Sequence, residues 1–170
     1  MPVIMPVHLL TLSKCKTPDE FRDRAWELLT PAVEKYKPCG TDVLFVTYIE
    51  PEQSGGGILK PQKSQQEILF QGNVGLVLKL GPLVNKYDSR GMAWEGDKIS
   101  VNDWIVCRFA DCWEIHLDGV SCRLIDPESI KGIVTDPAIV THRPASVSQM
   151  RSHQTVLQGS TALTVGGAHG

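Results

Sequence analysis

The chain is predicted to fold as a small all-β barrel with an N-terminal α-helical extension and an extended, polar C-terminal tail. Strand-like runs broken by turns recur between 41 and 134, which favours a barrel or sandwich. A capping box upstream opens one stretch of helical periodicity. Residues 135–170 are rich in Ser, Thr, Gln, Gly and Ala, with apolar residues only singly placed. The organisation read from these textures is a helical extension over 1–40, a β-barrel body over 41–134 and a tail over 135–170.

The extension contains one clear helix start. Thr17-Pro18-Asp19-Glu20 places Thr17 at the N-cap, Pro18 at N1 and Glu20 at N3. Phe21, Ala25, Leu28, Leu29, Ala32, Val33 and Tyr36 follow at helical spacing. Pro31 interrupts them, because its ring crowds the carbonyl of residue 27; a kink or a split into two helices is expected there. Lys37-Pro38-Cys39-Gly40 ends the element. Its apolar stripe must cover the adjacent body or a neighbouring subunit, so Phe21 and Leu28 are candidate interface anchors.

In the body, Val43–Ile49 is a β-rich run and Pro51–Gly57 a loop ending in three glycines. Ile68–Phe70 is a short apolar run, and Gly75–Leu80 is a strand stopped by Gly81-Pro82. Lys86–Lys98 is a polar excursion with the apolar island Met92-Ala93-Trp94, in which Trp94 is a candidate interface anchor. Ile99–Phe109 carries a further strand. Trp113–Leu117 pairs with Cys122–Ile125 through Asp118-Gly119, a turn whose two central residues need positive φ. Ile130–Val134 is the last strand. Core packing is the expected role of Trp104 and Trp113. The tail cannot bury enough surface to offset chain entropy, and orders only by lying on a partner.

Composition narrows the function. A net charge of −2, with basic and acidic residues well mixed, points to no nucleic-acid or membrane partner. No apolar run has the roughly 18 residues of a transmembrane helix. The apolar stretch Met1–Leu12 lacks the basic flank of a signal peptide, so a cytoplasmic protein, or one assembled there, is expected. The five cysteines form no C-x-x-C pair, and Cys107 and Cys122 read as small hydrophobes in strands. The five histidines are scattered, and Gly55-Gly56-Gly57 lacks the Lys-Ser/Thr of a phosphate loop. No catalytic residue, metal site or cofactor is assigned, and the chain is expected not to be an enzyme.

Several segments, in order, resemble the GroES co-chaperonin family over the body. Val43-Leu44-Phe45-Val46 is similar to the family's first strand, and Gly56-Gly57-Ile58-Leu59-Lys60-Pro61 to its mobile loop. Gly75 to Gly81, Ile99 to Val106, and the stretch from Leu117 to Ile133 are similar to later strands and the closing hairpin. Asn102 stands where the family has glycine, and Lys60 where it has a third aliphatic residue. The resemblance implies a ring-forming barrel whose mobile loop docks on a chaperonin, with Gly56, Gly57, Ile58, Leu59 and Pro61 as partner-binding residues. It also implies that the first and last strands join neighbouring subunits. The added termini lead to the expected function: a bacteriophage particle protein, decorating or cementing a capsid and located in the virion. The alternative is a cytoplasmic co-chaperonin. Either way the expected partners are proteins, in a homo-oligomer or larger assembly.

Overall fold

The computed structural model describes residues 12–50 and 73–140, all within the unit Met1–Val140. It contains one long helix, α1 (Pro18–Lys35), and six strands: β1 (Val43–Thr47), β2 (Val74–Leu80), β3 (Trp104–Val106), β4 (Trp113–Leu117), β5 (Val120–Ile125) and β6 (Gly132–Val134). The strands form a single sheet in the order β4-β5-β1-β2-β3-β6, with every neighbouring pair antiparallel. Among the described residues the architecture is therefore β-rich with one long helix. The 51–72 segment, including the run Ile68–Phe70, lies outside the described residues, as does the tail beyond Val140.

Helix α1 begins as its local chemistry dictates. The Thr17 hydroxyl accepts the Glu20 amide at 3.2 Å, and the Glu20 carboxylate accepts the Lys16 amide at 2.9 Å. Of the kink or split expected at Pro31, the split does not occur, and the helix runs on to Lys35 with the proline inside it. Tertiary contacts offset the local cost of the proline, about 3 kcal/mol. Leu29, Ala32 and Val33 around it are buried, and Lys79 of β2 donates to the carbonyls of Val33 (2.7 Å) and Glu34 (3.5 Å) at the helix end. Trp26 donates to the Asn102 side chain at 2.6 Å. The stripe thus covers the chain's own sheet.

Each face of the sheet has its own core. On the first, Phe21, Ala25, Leu29 and Val33 of α1 pack against Leu44 and Val46 of β1, Leu76 and Leu78 of β2, and Trp104 of β3. On the second, Val43, Phe45, Val77, Ile105 and Ile125 meet Val84 and Ile99 from the segment between β2 and β3. All five residues of β1 are buried, as expected of a strand covered on both sides. β1 pairs with both β2 and β5, which corrects the implied placing of the first strand at a subunit seam. Of the first and last strands only β6 lies at an edge of the sheet, the other edge being β4.

The second core sets one sharp steric constraint. A Cβ on Gly75 would sit 2.0 Å from Phe45 Cδ2, so the Phe45 ring occupies the place of a side chain. Gly75→Ala is expected to cost about 2–3 kcal/mol by urea denaturation. In a Phe45→Leu background the cost should shrink; equal costs in both backgrounds would remove the Phe45 ring as the cause.

The β4–β5 hairpin turns through Asp118 (φ 48°) and Gly119 (φ 80°), the expected pair. Asn102 has φ 74°, a left-handed conformation that asparagine tolerates. The polar excursion is closed at its base by Asn85, whose side chain donates to the Ile99 carbonyl (2.7 Å) and accepts the Ile99 amide (2.8 Å).

Candidate functional site

The sequence-predicted site residues fall in different places. Gly56, Gly57, Ile58, Leu59 and Pro61 lie outside the described residues. Phe21 is fully buried, with its ring centroid 5.2 Å from that of Tyr48 and 6.0 Å from that of Trp104, and it offers no surface to another chain. Leu28 is half-buried against the same core. Trp94 folds onto its own turn: Nε1 donates to the Asp97 carbonyl at 3.1 Å, and the ring covers Gly96. Phe21 and Leu28 thus share the first core, to which Trp94 does not belong.

Trp113, expected in the core, is 74% exposed at the start of β4. Ile115 and Leu117, on the same face of that strand, pack against the first core, which does not reach the strand's first residue. At the opposite side of the sheet Ile133 is also exposed, in β6. Among the described residues, β4 and β6 each pair on one flank only, so both sheet edges present unpaired backbone beside an exposed apolar side chain.

Next to the β4 edge the structure brings together groups that are separate in sequence. A short 3₁₀ turn, Phe109–Asp111, folds back so that Cys107 and Cys112 meet with their Sγ atoms 3.8 Å apart. Cys107 is buried, whereas Cys112 is half-buried and lines a surface pocket with Asp42, Asp111, Trp113 and Asp126. Arg123, in the middle of β5 and 2% exposed, lays its guanidinium over the Phe109 ring at 4.0 Å.

The electrostatics follow from this packing. Protonated Cys112 donates to the Arg108 carbonyl at 3.2 Å; ionised, it accepts from the Cys107 thiol. The bond from Cys107 draws the Cys112 thiol below its ordinary range; nearby Arg123 assists, while burial and Asp111 oppose. That bond, then burial, raises Cys107 in turn. Burial, with a smaller contribution from Asp126, raises the Asp42 carboxyl at the pocket rim. The arrangement can hold one thiolate against one thiol beside a fixed positive charge. A search for C-x-x-C misses it, because the pair is spaced Cys107-x₄-Cys112 across the turn.

No protein-family model matches the chain. It is 26% identical over 112 residues to an orotidine 5'-phosphate decarboxylase of Rhodopseudomonas palustris (strain BisB5), a match covering 64% of this chain and 47% of the relative. The chain thus spans about half the length of that curated relative. Since the relative is an enzyme, the match corrects the expectation of a chain without enzymatic activity.

Proposed function

We propose that the chain is an assembly protein that binds other protein chains through the two edges of its sheet, on a GroES-like body. The observation that carries this is the pair of edge strands that, among the described residues, pair on one flank only, β4 with Trp113 and β6 with Ile133. An unpaired antiparallel edge is a ready template for a strand from another chain, and an exposed tryptophan beside it supplies apolar area to bury. Curling of the sheet toward a barrel is supported by its second core, which is buried although α1 lies on the other face. The positive φ of Asn102 and the Asp118-Gly119 hairpin also fit the GroES-like reading. In its finer form the partners are other subunits of a virus particle; the alternative partner is a chaperonin ring.

Native mass spectrometry of the purified chain tests this, alone and mixed with a chaperonin ring or assembled shells. Complexes are expected, and they should weaken about tenfold or more with Trp113→Ser, the loss of one buried aromatic anchor. A chain that stays monomeric at every concentration and joins neither partner overturns the proposal. A second, enzymatic reading rests on the partial likeness to the decarboxylase. The same preparation incubated with orotidine 5'-phosphate decides that reading, since loss of the substrate carboxylate as carbon dioxide supports it and an unchanged substrate rejects it.

A further inference from the structure

We propose that Cys107 and Cys112 form a thiol–disulfide exchange site, with Cys112 as the attacking thiol and Cys107 as the resolving one. The site does not depend on the assembly reading. It rests on three observations: the 3.8 Å Sγ separation, the unequal exposure of the two thiols, and the buried Arg123 nearby. A disulfide needs its sulfurs at about 2.05 Å, so the pair must close by nearly 2 Å. Only the 3₁₀ turn Phe109–Asp111 and its flanking residues lie between the two cysteines, so a small adjustment within that short segment brings the sulfurs together.

Exposure divides the roles. Cys112 opens on a surface pocket, where a small disulfide can reach it, and Cys107 lies beneath it with 2% exposure. The charged groups around the pair come from every neighbouring element. Arg123 of β5 favours the thiolate and Asp111 of the turn opposes it, Glu114 of β4 acts on Arg123, and Asp42 and Asp126 stand at the pocket rim. The hydrogen bond from Cys107 and the Arg123 charge favour ionised Cys112, the form that attacks.

The oxidant is a disulfide, of a small thiol such as glutathione or of another protein. The Cys112 thiolate, its proton released to solvent, attacks one of its sulfurs; a mixed disulfide forms, and the first thiolate leaves and takes up that proton. Cys107 then gives up its proton and attacks Cys112 Sγ, forming the internal disulfide and expelling the second thiolate, which takes up a proton. Two electrons leave the cysteine pair, and the external disulfide becomes two thiols.

The test uses the full chain in glutathione buffers of graded oxidised-to-reduced ratio, quenched with acid and alkylated after denaturation. Alkylatable thiols should fall from five to three, the five cysteines less the linked pair, with a cross-linked peptide joining residues 107 and 112. Cys107→Ser should instead accumulate a stable glutathione adduct on Cys112, and Cys112→Ser should form no internal link. Five alkylatable thiols at the oxidised end, or a link through other cysteines, overturns the proposal. Should Cys107→Ser not fold, the unsubstituted chain still decides through the pH dependence of Cys112 alkylation. The midpoint is expected below that of an ordinary free cysteine, and a midpoint at or above the free thiol's overturns the assignment.

Discussion

Phe21→Ala is expected to destabilise the protein by about 3–5 kcal/mol, a fifth or more of the stability of an ordinary domain. The Phe21 ring has no exposed surface and joins α1 to β3 and to Tyr48, just past the end of β1. It meets Tyr48 edge-on, centroids 5.2 Å apart at 77°, and lies 6.0 Å from Trp104. Tyr48 and Trp104 are themselves 5.2 Å apart at 73°, so the three rings form one closed cluster. Alanine would leave a cavity among aromatic rings too rigid to collapse into it. Urea denaturation followed by tryptophan fluorescence reads the change directly, since Trp104 is one of the three. Had Phe21 served as an anchor for another subunit, the substitution would weaken association and leave the monomer's stability unchanged; that result would refute its placement in the core.

Raising the pH should unfold the protein between about pH 9 and 12, because two buried acids keep their protons longer in the folded state. Burial alone pushes the Cys122 thiol from 9.0 up to about 12. Burial, with smaller contributions from Glu50, Asp136 and Cys15, pushes the Tyr48 phenol from 10.0 up to about 12. Below pH 9 both states hold these protons and stability is intact. Between the unfolded and folded values the unfolded chain releases them while the folded chain does not, so stability falls as pH rises. The full gaps correspond to about 4 kcal/mol for Cys122 and about 3 kcal/mol for Tyr48. Together these are comparable with the whole stability of a small domain. Cys122→Val keeps an apolar side chain in the β5 core position and removes the titrating thiol. The variant should hold its urea midpoint to higher pH than the parent. An identical alkaline decline in both would show that Cys122 does not drive it.

Local chemistry made parts of this architecture readable from the residues. The α1 start is announced by Thr17, Pro18 and Glu20, because capping requires particular side chains within one turn. The β4–β5 hairpin is announced by Asp118-Gly119, because both central positions need positive φ. The strand Val74–Leu80 and its stop at Gly81-Pro82 follow from apolar runs and a chain breaker in the same way. In the candidate site the individual residues were visible and their meeting was not. Trp113 sits in an alternating strand that any reading of periodicity places in a core, yet that core ends before it. Cys107 and Cys112 lie at a spacing with no meaning until a 3₁₀ turn folds between them.

By itself, then, the order of residues determined where α1 begins, where the chain turns and which segments are extended, since each depends on interactions spanning a few residues. Tertiary structure alone decided that β1 lies mid-sheet, that α1 runs through Pro31, that Arg123 is buried above Phe109, and that two thiols stand face to face. These depend on pairings between segments distant in sequence. Burial of a shared core chooses among such pairings, and no local periodicity carries that choice.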